Sequence, residues 1–122
     1  MSQTVTPYLL YEDVDAASEF LCRAFGFREI GRGRGGAHRE YATPLGGEIH
    51  VGQPGPGYAN PGTVGATAIT YVLVPDVEAH HEQARREGAE VFEDPADQPY
   101  GHRRYSCRDP QGHEWSFATE LN

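Results

Sequence analysis

Two polar residues, Glu48 and His50, are the side chains best placed in the sequence to bind a metal ion. They are two positions apart in a short predicted strand, so both point to the same face of a sheet. A similar pair, Glu114 and Ser116, follows 66 positions later in the same Pro-x-Gly-x-Glu context. If both strands line one cleft, two carboxylates and one imidazole could bind Zn²⁺, Ni²⁺ or Fe²⁺. A metal-dependent enzyme is therefore one function that the sequence leaves open.

The other histidines give weaker indications of a metal site. His80 and His81 are neighbours on a predicted helix, so their rings point about 100° apart and are poorly placed to share one ion. We expect one of the two to be partly buried against the sheet and the other to be solvated. His38, His102 and His113 fall in predicted hairpins or turns. They are therefore interpreted as structural or solvated residues.

The sequence also argues against phosphate binding and nucleophilic catalysis. The glycine- and arginine-rich run at residues 31–36 lacks the lysine and the spacing of a phosphate-binding loop, and we interpret it as a flexible hairpin. All ten basic residues are arginines, which excludes a Schiff-base lysine. Cys22 and Cys107 lie on separate elements without a Cys–His–acid group. No residue is assigned a catalytic role.

Length and charge restrict the class of protein. The 122 residues suit one domain, and the net charge of −8 disfavours nucleic acid or an anionic membrane surface as a partner. No apolar run approaches the roughly 18 residues of a membrane span. The first residues lack the basic and apolar regions of a signal peptide, and two cysteines do not make a disulfide framework. We expect a cytoplasmic protein with reduced thiols.

The sequence contains an internal repeat. Asp13-Val14 recurs 63 positions later as Asp76-Val77, and at the same offset three residues of the first segment match three of the second: Ala16, Glu19 and Arg23 match Ala79, Glu82 and Arg86. The shared order of these matches indicates two copies of one supersecondary unit.

Each copy predicts the order strand, helix, three strands. In the first helix, five apolar residues form one stripe at helical spacing: Ala17, Phe20, Leu21, Ala24 and Phe25. The proline- and glycine-rich segment at about 53–62 connects the copies, since it favours neither a long helix nor a central strand. We therefore predict one α+β domain over 1–122, made of two βαβββ units at about 1–53 and 63–122.

The closing segment resembles the last two strands of the glyoxalase/bleomycin resistance protein/dioxygenase (vicinal oxygen chelate) superfamily. The resemblance rests on Tyr100-Gly101-x-Arg103-x-Tyr105 and on Asp109-Pro110-x-Gly112-His113-x-Trp115-x-Phe117, and the opening strand and helix are similar as well. It implies two paired modules whose mixed sheets curl around a cleft. It also implies that paired units often belong to two chains of a dimer.

Metal-dependent members of that superfamily bind the ion with one residue on the first and one on the last strand of each unit. Aligning the motifs places Thr6, His50, Ile69 and Ser116 at these four positions. Only His50 is a competent ligand, whereas a stable site needs about three nitrogen, oxygen or sulfur ligands. The resemblance therefore implies a branch without a metal cofactor.

Strand alternation predicts which side chains line the cleft. Trp115 and Phe117 have the largest apolar area and are assigned to the core. The cleft set then comprises Tyr8, Glu48, His50, Ile69, Tyr71, Arg103, Tyr105, Glu114 and Ser116. Tyrosine rings suit a flat or amphipathic molecule, and an arginine can bind a ligand carboxylate or pair with Glu114 or Asp109.

The sequence predicts a cofactor-free protein that binds a small organic molecule, and the acidic charge suits a cationic ligand. Such members resemble antibiotic-sequestering proteins, which hold a drug without breaking a bond. The alternatives are a metal-dependent lyase or dioxygenase using His50, Glu48 and Glu114, and a ligand-sensing or assembly module. A homodimer is expected, because curled sheets leave edges that a second copy can cover.

Overall fold

The computed structural model describes residues 3–122 and contains the βαβββ unit twice. The first unit consists of β1 (Tyr8–Leu10), α1 (Val14–Phe25), β2 (Arg28–Arg32), β3 (Arg39–Ala42) and β4 (Glu48–Gly52), with a 3₁₀ turn at Arg34–Gly36. A short helix, α2 (Pro61–Val64), lies in the connection. The second unit consists of β5 (Ile69–Leu73), α3 (Val77–Arg86), β6 (Glu90–Asp97), β7 (His102–Arg108) and β8 (Glu114–Glu120). The α+β fold predicted from the repeat is confirmed.

The two sheets have the same topology. Their strand orders are β1-β4-β3-β2 and β5-β8-β7-β6. In each sheet the first strand runs parallel to the last strand of its unit, and the other pairs are antiparallel. Both sheets are therefore mixed, as the paired modules of the resemblance require.

Helix α1 begins and ends where the sequence favours it. The Asp13 carboxylate accepts a hydrogen bond from the Ala16 amide at 2.9 Å, and Gly26 ends the helix with a positive φ of 74°. Asp15, in the first turn of α1, forms an ion pair with Arg39. The predicted apolar stripe is buried. Asp76 caps α3 in the same way as Asp13 caps α1.

The two units share one core between the helices and the sheets. Phe25 of α1 packs on Trp115 and Phe117 of β8, with ring centroids 5.3 and 4.7 Å apart. The side chains of Trp115 and Phe117 are fully buried, which confirms their assignment to the core. At about 150–250 Å² of apolar area each, these rings contribute a large share of the hydrophobic stabilisation.

Hydrogen bonds also link the start of the first unit to the turn between β7 and β8. The Tyr11 hydroxyl donates to the buried Asp109 carboxylate at 2.5 Å, and the Trp115 indole N–H donates to the same oxygen at 3.0 Å. The His113 ring contacts the Leu10 carbonyl at 2.6 Å. Burial and the Asp109 charge raise the pKa of Tyr11 well above its usual value. Tyr11 therefore remains protonated and able to donate.

Two segments depart from the sequence expectations. Strand β6 continues through Pro95 to Asp97, and its pairing with β7 is irregular. It lies at the edge of its sheet, where a proline such as Pro95 is tolerated. The connecting segment ends in the helical turn α2, because Asn60 caps it and Pro61 occupies its first position. Within residues 3–122, no helix is long and apolar enough to cross a membrane.

Candidate functional site

The helices cover one face of the sheets, and the opposite faces carry polar and aromatic side chains. We call these the outward face of the first sheet and the outward face of the second sheet. Along β4, Ile49 and Val51 are buried toward the helices, so Glu48 and His50 point outward. The register pairs His50 with Tyr8 of β1 on one side and with Glu40 of β3 on the other. These neighbours therefore share the outward face of the first sheet.

Four of these outward-facing side chains form a connected cluster. The Tyr8 hydroxyl lies 3.0 Å from His38 Nδ1, and His38 Nε2 lies 3.0 Å from Glu40 Oε2. The hydrogen bond from His38 lowers the pKa of Glu40, so this carboxylate stays ionised. One ligand atom each from His38, Glu40 and His50 falls within 4.8 Å of the other two.

His50 is the least satisfied member of the cluster. Its Nε2 atom is buried and has no hydrogen-bond partner among residues 3–122. The nearest carboxylate oxygen, Glu48 Oε2, is 3.4 Å away, within ion-pair range but not aligned for a hydrogen bond. A buried imidazole nitrogen without a partner is unfavourable and therefore suggests a missing ligand.

The second sheet repeats part of this arrangement. The Tyr71 hydroxyl lies 2.7 Å from His102 Nδ1 and 3.2 Å from the Tyr100 hydroxyl. Tyr71 and His102 follow Tyr8 and His38 by 63 and 64 positions, so each sheet carries a tyrosine–histidine pair. Partial burial, followed by the Tyr100 contact, raises the pKa of Tyr71, which keeps its hydroxyl protonated.

The two outward faces differ in charge. Ser106 lies opposite Ser116 as Glu40 lies opposite His50, and Arg104, two residues before Ser106 on the same face, forms an ion pair with Glu93 at 2.9 Å. Ser116 takes the place of His50, and its hydroxyl is buried and hydrogen-bonded to Ser106 at 2.7 Å. The second face therefore lacks the ligand set of the first.

The predicted metal-binding trio is not assembled in the described chain. Glu114 lies on the second sheet and pairs with Arg108 at 3.0 Å, whereas Glu48 and His50 are neighbours on the first. Across residues 3–122, the group of histidine and carboxylate side chains close enough to share an ion is His38, Glu40 and His50.

Two residues that were assigned to the cleft point toward the helices instead. Tyr105 is opposite Phe117 in the register, is fully buried, and its hydroxyl lies 2.6 Å from His80 Nδ1. Arg103 is on the same side of β7 and forms ion pairs with Glu78 of α3 and with Asp97. The assignment was wrong because the phase of β7 is shifted by one residue, which exchanges its two faces.

The remaining predicted residues lie on the outward faces. Tyr8, Ile69 and Tyr71 are 52%, 57% and 42% exposed. Two open cavities bring some of these residues together across the two sheets. Tyr8 and Glu114 line one of about 210 Å³, and Glu48 and Tyr71 line another of about 350 Å³.

A larger cavity of about 480 Å³ lies away from these faces, between the start of α1 and the β7–β8 turn. It is lined by Tyr11, Phe20 and Gln111 among others, and none of the predicted site residues contributes to it. We place the candidate site on the outward faces rather than here, because the grouped histidines, carboxylates and paired tyrosines are there.

Sequence reasoning missed several residues of the outward faces. His38 and His102 were interpreted as hairpin residues, and Glu40 and Arg104 were not considered. A signal for the histidines was available in the sequence, because they are 64 positions apart, close to the offset of the repeat.

The thiols lie outside the candidate site. Cys107 is buried, and burial raises its pKa to about 12. Partial burial also raises the pKa of Cys22. Neither is therefore a ready thiolate at neutral pH.

Comparison with known proteins identifies the class that this fold and these faces define. The sequence profile of the Glyoxalase/Bleomycin resistance protein/Dioxygenase superfamily matches residues 3–117. The chain belongs to this superfamily, as the closing motif predicted.

Individual relatives are similar over nearly the whole chain. The uncharacterized protein Rv0887c of Mycobacterium tuberculosis is 30% identical, with 96% of this chain and 74% of the relative covered. TioX from Micromonospora sp. ML1 has a solved structure that is 29% identical, with a TM-score of 0.78 and coverage of 98% and 100%. A superfamily member from Sphaerobacter thermophilus shares the fold, with a TM-score of 0.81 at 17% identity and 98% coverage of each chain.

The metal ion of the superfamily's enzymes does not fit the four positions that the resemblance implies for it. Ile69 has no donor atom, and the Ser116 hydroxyl is already bonded to Ser106. Thr6 would add a neutral hydroxyl, which leaves His50 as the single good ligand there.

Proposed function

We propose that the protein binds a small organic molecule on its outward faces and holds it without breaking a bond. The observation that carries this proposal is the exposure of large side chains on β1 and β5, the first strands of the two sheets. Tyr8, Ile69 and Tyr71 are each more than two-fifths exposed although they lie on regular strands. An apolar patch on a sheet that the helices do not cover is a common mark of a binding surface.

The paired tyrosines support a flat or amphipathic ligand. The hydroxyl of each outward tyrosine is hydrogen-bonded to an imidazole: Tyr8 to His38, and Tyr71 to His102. These hydrogen bonds restrict the tyrosine rings before a ligand binds, which reduces the conformational entropy lost on binding. Each ring then presents a stacking face.

Charge supports a cationic ligand. The net charge is −8, and three carboxylates lie on the outward faces: Glu40, Glu48 and Glu114. Long-range attraction of this kind raises the rate at which a cation meets the surface. The family description includes bleomycin resistance proteins, which makes an antibiotic-like molecule the first ligand class to test.

A second copy of the chain supplies the rest of the cleft in this proposal. In one chain the outward faces are open, and Leu73 adds a further exposed apolar side chain to β5. Pairing the first sheet of one copy with the second sheet of the other would enclose both faces and bury these side chains. A symmetric dimer makes this contact twice.

A binding experiment tests the proposal directly. Calorimetry in buffer with a chelator would use metal-free bleomycin first, followed by a panel of cationic aromatic antibiotics. We expect saturable binding of at least one compound and its recovery unchanged by mass spectrometry. Tyr8→Ala and Tyr71→Ala should each weaken binding about tenfold, because each removes a stacking ring.

Tyr58→Ala is the matched control, because Tyr58 is an exposed tyrosine in the connecting segment. It should bind like the wild type. The proposal fails if no compound of the panel binds, or if both outward-face variants retain full affinity. Recovery of a chemically altered compound would favour an enzyme instead.

The sequence analysis also left open a metal-dependent lyase or dioxygenase and a ligand-sensing or assembly module. No reaction step is assigned to the superfamily's metal, because the side chains at Ile69 and Ser116 cannot ligate it. An assembly module would bind a partner protein while the antibiotic panel gave no signal.

A further inference from the structure

The outward face of the first sheet contains a ligand set that the superfamily positions do not predict. His38 lies in the bend immediately before β3, Glu40 lies on β3, and Glu40 is directly opposite His50 on β4. Two neighbouring strands and the bend beside them therefore offer two imidazoles and one carboxylate. Their ligand atoms are mutually within 4.8 Å.

Small side-chain movements would bring these atoms onto a common ion. Metal bonds to histidine nitrogen and carboxylate oxygen are about 2.0–2.2 Å, so two ligand atoms of one tetrahedral ion are about 3.3–3.6 Å apart. The ligand atoms lie within 4.8 Å of one another, so side-chain movements of at most about 1.5 Å would bring them to that spacing. One pair is already close, because His38 Nε2 and Glu40 Oε2 are 3.0 Å apart.

The state of His50 is the independent observation that points to a ligand. Its Nε2 atom is buried and unpartnered within the described residues, on the same face as the other two side chains. A neutral imidazole left in this way loses the hydrogen bond that water would give it. A metal ion bound at Nε2 would remove that penalty.

We propose that His38, Glu40 and His50 form a binding site for one first-row divalent cation such as Zn²⁺, Ni²⁺, Co²⁺ or Fe²⁺. Two imidazoles and a carboxylate are the ligands that these ions take, whereas Mg²⁺ and Ca²⁺ prefer oxygen alone. Three protein ligands leave further coordination positions open to water or to a bound molecule.

Tyr8 is placed to orient His38 in this site. Without metal, Nε2–H of His38 donates to Glu40, and Nδ1 accepts from the Tyr8 hydroxyl. With metal on Nε2, the ring proton moves to Nδ1 and is donated to the Tyr8 oxygen. A histidine ligand usually has its second nitrogen bonded in this way.

The repeat provides an internal comparison. On the second sheet His102 still pairs with a tyrosine, but the register equivalents of Glu40 and His50 are Ser106 and Ser116, and Arg104 lies on the same face. An arginine repels a cation, so that face should not bind one. His102→Ala is therefore a matched control for His38→Ala, since each removes one tyrosine-bonded imidazole.

This inference goes beyond the proposed function and fails separately from it. All three ligands belong to one sheet of one copy, so the cation needs neither the organic ligand nor a second copy. Calorimetry with Zn²⁺ alone, and the visible absorption of a Co²⁺ complex, measure it without any enzymatic assay. The metal-stripped protein would be used at neutral pH.

We expect one Zn²⁺ per chain, with His38→Ala, Glu40→Gln and His50→Ala each weakening binding at least about tenfold. Glu40→Arg, which places a positive charge among the ligands, should abolish it. His102→Ala and Glu48→Gln should bind like the wild type. Thermal unfolding of each metal-free variant checks that the fold is retained.

Three results would overturn the inference. They are absence of saturable Zn²⁺ binding by the wild type, full affinity in His50→Ala, and an equal loss in His102→Ala. Loss of binding in Glu48→Gln would also refute the stated ligand set, because it would show that Glu48 rather than the cluster holds the ion beside His50.

Discussion

Both ring nitrogens of His80 have hydrogen-bond partners within the fold. Its Nε2 lies 2.9 Å from the Phe25 carbonyl and its Nδ1 lies 2.6 Å from the Tyr105 hydroxyl. The ring also packs on Phe117 with centroids 4.2 Å apart. Both nitrogens have partners, so this residue stabilises the contact between α1 and α3 and is not available to a ligand.

Burial lowers the pKa of His80 below its usual value, which makes stability depend on pH. The unfolded chain takes up a proton at this position below about pH 6.5, and the folded chain resists it. Stability from His80 is therefore present above that pH and is lost as the pH falls toward the folded-state pKa. Urea unfolding at pH 8 and pH 5.5 measures this loss.

The matched variant is His80→Gln, which keeps a polar side chain but does not titrate. We expect the wild type to lose more unfolding free energy between the two pH values than His80→Gln does. An equal loss in both proteins would contradict this role for His80.

At the level of single residues, strand alternation predicted the outward placement of Tyr8, His50 and Tyr71. It did not predict the phase of β7. That strand has polar side chains on both faces, so its sequence does not reveal which of Arg103 and Arg104 points toward the helices. Packing of Tyr105 on Phe117 decides the phase, and this is a tertiary contact.

Among the elements, the turn between β7 and β8 is tightly packed against α2. Gly112 has a positive φ of 95°, and a Cβ there would lie 2.9 Å from the backbone nitrogen of Gly62. Gly101 in the preceding turn has a similar φ of 93° but open space around it. Substitutions at the two glycines can therefore distinguish the cost of backbone strain, which both would have, from the cost of steric overlap, which only Gly112 would add.

Gly101→Ala should cost about 1–3 kcal/mol from backbone strain alone. Gly112→Ala should cost clearly more, because α2 must also move away. Urea unfolding curves of the two variants provide the comparison. Equal destabilisation of the two variants would mean that α2 can move away at little energetic cost, which would contradict tight packing of the turn against α2.

The elements themselves could largely be predicted from the sequence. Caps at Asp13 and Asp76 and a left-handed glycine at Gly26 specify the helix ends locally. The full length of β6 could not be predicted, because Pro95 is normally a reason to end a strand. Its position at the sheet edge removes that objection, and edge position depends on the whole topology.

For the whole molecule, the exposed outward faces predict self-association. The wild type should have twice the 13.4 kDa mass of one chain by light scattering. Ile69→Glu places a charge on the outward face of β5 and should shift the mass toward a single copy. Burying an unpaired carboxylate in an interface is strongly unfavourable.

Val64→Glu serves as the control, because Val64 is equally exposed but lies on α2 rather than on a strand. It should remain associated. A wild-type mass of one chain across the micromolar range would refute the dimer.

The charge difference between the two outward faces has a consequence for ligand orientation. The faces are related by the repeat, but the first carries the Glu40 carboxylate, whereas the second carries Ser106 at the equivalent position and the Arg104 guanidinium beside it. An elongated molecule with unlike ends that spans both faces would lie preferentially one way round, with its positive end toward the first. The repeated backbone is symmetric, and its side chains give the binding surface a direction.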